Sequence, residues 1–465
     1  MNYLLRAMGL WVWGLLAIAI SVSLVSVSYR TISAYRPHSA ADAATHNAAS
    51  GEPQDAGTLG GVMPMPRFAE GTTASSGQPV ISKVIGKEMR AAQKAMQAGQ
   101  WAEALRELEA ARSKSPPTKY DVKTIEEFTG VASIRLKDFN AAQTAYEAAL
   151  ATGAYKAEEL ARIFRLLFQL AALNKHDTAA IGYGTQTAEN GAATENDLLI
   201  MSQLYYQQKD CPNSAVWGDK AIAAFKEAGQ PPKEVLYQLK LQCASNANDS
   251  GGMKAALYDL IRLTNKSSYW NNLIRLERQD ERDDHNTLML YRVMFDTHSM
   301  TADTDYIEMA QLLGDAGLPG EAQVVLEKAM SGGVLKDEHK ERTTRLLNAL
   351  QARADSDKNG LAALDAEATK NPAGQLDMKL GEVYFGAGDY QDALTALGRG
   401  IGKAQLSQPD EAYVYLGRTL TAERDPAGAK QAFAKLKSLQ NISPRVLKLW
   451  NLYADMLPET LSEPL

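Results

Sequence analysis

A short helical-hairpin pattern recurs along this chain at a nearly fixed interval, and that interval limits what the chain can fold into. Four copies read almost alike: Gly99-Gln100-Trp101-Ala102-Glu103-Ala104-Leu105, Lys137-Asp138-Phe139-Asn140-Ala141-Ala142, Gly317-Leu318-Pro319-Gly320-Glu321-Ala322 and Gly388-Asp389-Tyr390-Gln391-Asp392-Ala393-Leu394. Each reads as a tight turn, usually an aromatic residue or proline, and then a small residue early in a second helix. Taking that small residue as a marker gives Ala104, Ala142, Ala180, Ser214, Ala256, Ala322, Ala393 and Ala429. The first intervals are 38, 38, 34 and 42 residues. The next two, 66 and 71, each leave room for one degenerate repeat, near 269–300 and 340–372. Such a period marks a stacked-repeat architecture. A solenoid grows by adding neighbours, so 465 residues need no single large core.

The residue types fit helices that cross closely. Gly130, Gly381 and Gly417 precede their markers Ala142, Ala393 and Ala429 by a constant step. Small residues at both points let two helix axes approach. Glycine there costs about 1 kcal/mol of helix propensity against alanine, which packing must offset. Large residues follow four positions after the marker, on the same helix face: Leu108, Tyr146, Leu326, Leu397 and Phe433. They are expected to fill the groove against the next hairpin. Pro116 and Pro372 stand just past second helices, where a missing N–H stops the helix.

Tyr413, Leu416-Gly417, Leu420, Ala429 and Phe433, and likewise Leu380-Gly381, Tyr384, Ala393 and Leu397, follow the spacing of the tetratricopeptide repeat (TPR) signature. Residues 84–443 resemble that family. The resemblance implies an all-α, right-handed superhelical solenoid of about ten TPR-like hairpins, with a concave groove that commonly holds a peptide or another protein. It also implies groove-lining positions: Gln203 and Tyr206 in the fourth repeat, Gln311 in the seventh, Glu382 and Phe385 in the ninth, and Arg418 in the tenth. The family's clamp for a C-terminal carboxylate needs Lys, Asn and Arg in adjacent repeats, and that set is not present. The stretch from Tyr269-Trp270 to Asp305-Tyr306-Ile307-Glu308-Met309-Ala310 resembles exported bacterial TPR proteins, some linked with envelope energy transduction.

Ahead of the repeats, residues 8–28 carry no charge; Arg6 precedes them, and Arg30 and Arg36 follow. The run is long enough to span a bilayer. Ser26-Val27-Ser28 also offers the small residues of a cleavage site. Residues 1–36 are therefore a signal-anchor or a signal peptide, and in either case the rest lies outside the cytoplasm. Residues 37–80, rich in Ala, Gly, Ser, Thr and Pro, read as a flexible linker. The solenoid is expected over 81–442. Residues 443–465, with Ser443-Pro444 opening a last amphipathic helix, are expected to cap its end.

The remaining features point away from chemistry. A net charge of −6 gives no electrostatic footprint for nucleic acid. Cys211 and Cys243, the two cysteines, lack metal-site spacing. They sit in adjacent hairpins, where either a disulfide or two core thiols would fit. The charge run Gln279-Asp280-Glu281-Arg282-Asp283-Asp284-His285 lacks the order of a calcium loop and reads as a solvated inter-helix loop. Gly398-Arg399-Gly400-Ile401-Gly402-Lys403 lacks the strand and the Ser/Thr of a phosphate loop, and reads as a frayed helix end. Gly182-Tyr183-Gly184 fails as a dinucleotide fingerprint.

The sequence thus predicts a non-enzymatic scaffold of a bacterial cell envelope. It is expected to bind a protein or peptide in the groove, with no cofactor, no metal and no nucleic acid. It would be periplasmic, held at the inner membrane by the N-terminal helix if uncleaved, or released after cleavage. The alternative is binding of an envelope polysaccharide or peptidoglycan, which exposed aromatics among Tyr205-Tyr206, Tyr269-Trp270 and Tyr384-Phe385 would favour.

Overall fold

A computed structural model describes residues 80–459 apart from 115–116, 280, 404 and 439–442. The N-terminal apolar segment, nearly all of the linker, and Pro116 lie outside the described residues. The described chain is all helix and turn. In order the helices are α1 (Gly86–Gln97), α2 (Trp101–Arg112), α3 (Lys119–Arg135), α4 (Phe139–Ala151), α5 (Ala157–Leu173), α6 (Asp177–Glu189), α7 (Glu195–Gln207), α8 (Cys211–Glu227), α9 (Glu234–Asn246) and α10 (Ser250–Thr264). There follow α11 (Ser267–Arg278), α12 (Asp284–Asp296), α13 (Asp303–Asp315), α14 (Pro319–Ser331), α15 (Asp337–Lys370), α16 (Gln375–Ala387), α17 (Tyr390–Lys403), α18 (Pro409–Ala422), α19 (Pro426–Ala434) and α20 (Pro444–Met456). They pack as sequential TPR-like hairpins. The chain divides into an amino-terminal unit, residues 1–224, and a carboxy-terminal unit, residues 225–465.

The tight turn seen in the sequence is one backbone device used repeatedly. The residue two before each second helix adopts a left-handed φ: Gly99, Lys137, Lys175, Lys209, Asn248, Gly317, Gly388 and Arg424. The N–H after it reaches back to the first helix, as in Asp138 N to Ser133 O at 2.9 Å and Asp425 N to Leu420 O at 2.8 Å. This satisfies carbonyls that a helix end leaves open. The same next residue caps the second helix: the carboxylates of Asp138, Asp249 and Asp425 accept from the N–H groups of Ala141, Gly252 and Gly428. One helix therefore ends and the next begins within about three residues, which forces an antiparallel pair.

The crossing glycines behave as the sequence implied, with one correction. A Cβ added to Gly381 would stand 2.7 Å from Leu397, one on Gly417 would stand 2.5 Å from Phe433, and one on Gly130 would collide with the Tyr146 ring. The large residues thus pack onto the first helix of their own hairpin, whereas the sequence reading sent them against the next one. In α5–α6 the sizes are exchanged: Phe168 stands on the first helix and Gly184 on the second, where a Cβ would press on the Phe168 ring and on Met201. In α7–α8 the crossing is made by two serines, Ser202 Oγ donating to Ser214 O at 2.8 Å and Ser214 Oγ to Ser202 O at 2.9 Å.

Successive hairpins of the amino-terminal unit are tied by carboxylates at constant spacing. Asp121, Glu159 and Asp197 each accept the backbone N–H of their own helix cap, Thr118, Lys156 and Thr194, at 2.8, 2.8 and 2.9 Å. Each also accepts from the preceding hairpin: Ser82 N at 2.9 Å, Lys123 Nζ at 2.9 Å and Arg165 Nε at 2.7 Å. One side chain thus serves as cap and as inter-repeat link.

The carboxy-terminal unit departs from the expected array in two ways. The segment expected to hold a degenerate hairpin near 340–372 is the single 34-residue helix α15. Its middle, Asp355-Ser356-Asp357-Lys358-Asn359, has no apolar side chain to bury by turning back, so helix propagation wins. The last helix, α20, stacks Trp450 on Phe433 of α19 with ring centroids 5.0 Å apart, as a cap should. It also reaches the middle of its unit: Lys448 Nζ lies 3.7 Å above the Tyr258 ring of α10, and α20 packs on α12.

Candidate partner-binding faces

First helices carry the positions that the repeat register leaves free of packing within the hairpin, and the two units use them differently. In the amino-terminal unit, Gln203 and Tyr206 on α7 are half-buried, and their side chains make no hydrogen bond among the described residues. Neighbouring Tyr205 is stacked on Trp217 at 6.5 Å. On the same unit, α3 and α5 bring Glu127 near Tyr155 and Arg162, and burial raises the Glu127 pKa above the ordinary carboxylate value. Lys123 Nζ sits 4.3 Å over the Tyr155 ring. The Tyr155 hydroxyl faces Glu127, and the Tyr146 hydroxyl is buried there with no hydrogen-bond partner among the described residues.

In the carboxy-terminal unit three of the four corresponding positions, Glu382, Phe385 and Arg418, are engaged from within. Arg418, on α18, is buried. Its guanidinium donates to Asp296 of α12 through Nε at 2.8 Å and Nη2 at 3.1 Å, and also pairs with Glu321 of α14. Phe385, on α16, packs edge-on against Tyr415 at 5.2 Å and lies under the Arg418 guanidinium at 4.8 Å. Glu382 has only 11% of its side chain exposed, and its nearest cation, Lys379, is 4.0 Å away. Gln311 on α13 stays half-buried, and its side chain makes no hydrogen bond among the described residues. The structure therefore brings Glu382, Phe385 and Arg418 together around α12 and α14.

The centre of this cluster is Arg292 of α12, whose side chain has no solvent exposure. It donates to Glu321 Oε2 at 3.0 Å, to Glu411 Oε1 at 2.8 Å and to the Tyr415 hydroxyl at 2.8 Å. Tyr415 in turn donates to Glu321 at 2.6 Å. Burial alone would push the Glu321 carboxyl up, but Arg292 and Arg418 together outweigh it and bring its pKa down to about 2. Glu382 goes the other way: burial first, then the neighbouring Glu411, raises it to about 8. At the edge of the cluster, His285 Nε2 lies 2.8 Å from Asp410 Oδ2, a contact that raises the imidazole pKa.

Sequence reasoning missed Arg292, Glu321, Glu411 and Tyr415. One signal was available: Arg292 interrupts the apolar run Leu288-Met289-Leu290-Tyr291-Arg292-Val293-Met294, all of it buried. A charge inside such a run must find partners. His285 likewise corrects the solvated-loop reading of 279–285, since it belongs to α12 and is held by Asp410. Asp280 lies outside the described residues. The 398–403 stretch is also not frayed. It completes α17, where Arg399 pairs with Asp365 at 2.6 Å and with Asp377, and Lys403 reaches Asp377 at 2.8 Å.

Neither Cys211, the first residue of α8, nor Cys243, within α9, is a free thiol. Among the described residues no group of three or more His, Cys, Asp or Glu side chains is placed to hold a metal ion. No helix among them is long and apolar enough to cross a membrane.

No protein-family model matches the sequence, and no curated protein does. Solved structures with similar helical hairpins include a tetratricopeptide repeat protein from Parabacteroides merdae, 11% identical over 80% of this chain and 99% of that one, TM-score 0.28. Another is the C-terminal part of a TPR repeat-containing protein from Cytophaga hutchinsonii, 12% identical over 78% and 98%, TM-score 0.27. A third is Naa15/Naa10 bound to HypK-THB, 12% identical over 78% and 64%, TM-score 0.36. The fold of this chain rests on its own packing, and no activity or partner passes to it from these structures.

Proposed function

We propose that the chain is a non-enzymatic protein-interaction scaffold that binds a protein segment along the first-helix face of its amino-terminal unit. One contrast supports this reading. Glu382, Phe385 and Arg418 are engaged from within the carboxy-terminal unit, which leaves only Gln311 open there, whereas both amino-terminal positions, Gln203 and Tyr206, have side chains without hydrogen bonds among the described residues. We place the scaffold in a bacterial cell envelope, outside the cytoplasm, on the strength of the apolar segment at residues 8–28. If that segment is retained, it would concentrate the scaffold's partner near the membrane.

Site-specific photocrosslinking tests the binding face. A crosslinker at Tyr206 is expected to trap a defined protein in intact envelopes, and one at Val324, exposed on α14, is expected to trap none. Equal trapping at both positions would overturn the placement. No protein partner, together with sedimentation on purified cell-wall polymer, would overturn the scaffold reading in favour of polymer binding. The polymer reading loses support from the aromatics it relies on. Trp270 is buried and donates to Asn265 at 2.8 Å, Tyr269 is tied to Gln238 at 2.8 Å, and the half-buried Phe385 packs against Tyr390 and Tyr415.

A further inference from the structure

The last three described helices of the carboxy-terminal unit pack on it through buried apolar residues such as Val414, Val446 and Leu449 and through a set of ionisable contacts. From α18, Asp410, Glu411, Tyr415 and Arg418 meet His285, Arg292 and Asp296 of α12 and Glu321 of α14. From α20, Arg445 donates to the Glu277 carbonyl of α11 at 3.4 Å, and Lys448 covers Tyr258 of α10. As a contiguous block, α18–α20 can swing away while the mutual contacts of α9–α17 stay in place, as units of a repeat array commonly do.

We propose that α18–α20 form a proton-gated flap, held on α12 while His285 and Glu382 carry their protons and released as those protons are lost. The geometry sets the direction. Glu382 on α16 faces Glu411 from α18, Glu321 from α14, Arg292 from α12 and Lys379 from its own helix. Arg292 already serves Glu321 and Glu411, and Arg418 serves Glu321 and Asp296. A further negative charge on Glu382 has only Lys379 to balance it, at 4.0 Å. His285 faces Asp410 and Glu411 from α18, Arg292 from its own helix, and the Gln408 amide at 3.3 Å. The neutral ring can already donate Nε2–H to Asp410, and protonation adds a charge that strengthens the contact and raises the imidazole pKa.

The sign is the same for both groups. Glu382 titrates at about 8 in the closed form, against 4.5 when freed into water. Opening therefore releases its proton between those values, and the opening constant rises with pH. His285 has a closed-form pKa above its ordinary 6.5, so opening releases its proton between 6.5 and that raised value. Each released proton multiplies the opening constant about tenfold per pH unit. Opening would uncover the face of α12 that carries Arg292 and Asp296, together with Glu382 and Phe385. This inference stands whether or not the amino-terminal unit binds a partner.

Hydrogen–deuterium exchange of the full chain, corrected for the intrinsic pH dependence of amide exchange, tests it. Amides of α18 and α20 are expected to open before those of α13–α17, about tenfold or more faster per pH unit between 6.5 and 8. Glu382→Gln should remove most of that slope at pH 7–8. His285→Ala should remove the part nearer 6.5 while raising opening at low pH, and the double variant should be flat. Glu382→Gln replaces a carboxyl that is already protonated in the closed form, so it keeps the shape. An unchanged slope in the double variant, or exchange of α18–α20 only together with α13–α17 at every pH, would overturn the flap.

Discussion

At the scale of single residues, the same residue type carries opposite demands two positions apart. In α6 a Cβ on Gly182 meets nothing within 4 Å, whereas one on Gly184 runs into Met201 and Phe168. Gly182→Ala should therefore raise stability by about 0.5–1 kcal/mol, through helix propensity alone. Gly184→Ala should lower it by about 1–3 kcal/mol, because the core has no room. Thermal melts of the two variants side by side check this; a common sign would refute the packing account. The crossing glycines Gly130, Gly381 and Gly417 were legible in the sequence because their spacing recurs. The exchanged pair Phe168 and Gly184 was not, since each residue alone breaks the pattern and only the pair restores it. The left-handed lysines Lys137, Lys175 and Lys209 were also hidden. Lysine has no special claim on positive φ, and the turn imposes it at about 1–2 kcal/mol each.

At the scale of helices and hairpins, phase along the sequence located most elements, because hairpins pack nearest neighbours and the period survives. It failed where packing stopped being local. The merger of the predicted hairpin into α15 depended on what a second helix would have had to bury. The convergence of α12, α14, α16 and α18 joins residues more than 100 positions apart, as in Arg292 with Glu411 and Tyr415. No repeat register reports that. Glu321 is the hinge of this convergence, shared by Arg292, Arg418 and Tyr415. Its pKa of about 2, against 4.5 unfolded, means that its contribution is fully present above pH 4.5 and is lost as pH falls toward 2. Glu321→Gln should cost about 3 kcal/mol at pH 6, and much less at pH 2.5, measured by urea unfolding. A cost that does not depend on pH would show that shape, and not charge, is what Glu321 supplies.

At the scale of the whole molecule, the proposed tether and the cysteines give separate tests. A retained anchor predicts that the mature protein begins at Met1 or Asn2, and N-terminal sequencing that starts near Tyr29 would refute it. Neither thiol is free, so a thiol-alkylating reagent should label neither Cys211 nor Cys243 in the unreduced protein, and labelling of either without reduction would refute this. The candidate groove positions were only half legible at this scale. Register put Glu382, Phe385 and Arg418 on first helices, but whether such positions face a partner or their own chain depends on where the array folds back.

The exchanged crossing of α5 and α6 bears on how such a chain can change by recombination. A copy of α4 laid against α5 would bring a Tyr146 ring onto the Phe168 ring, and a copy of α6 laid against α3 would set Gly184 against Gly130 and leave a void. Single helices are therefore not interchangeable parts between these hairpins. Only the matched pair can be duplicated, deleted or moved, so the hairpin, and not the helix, is the smallest inheritable module of this protein.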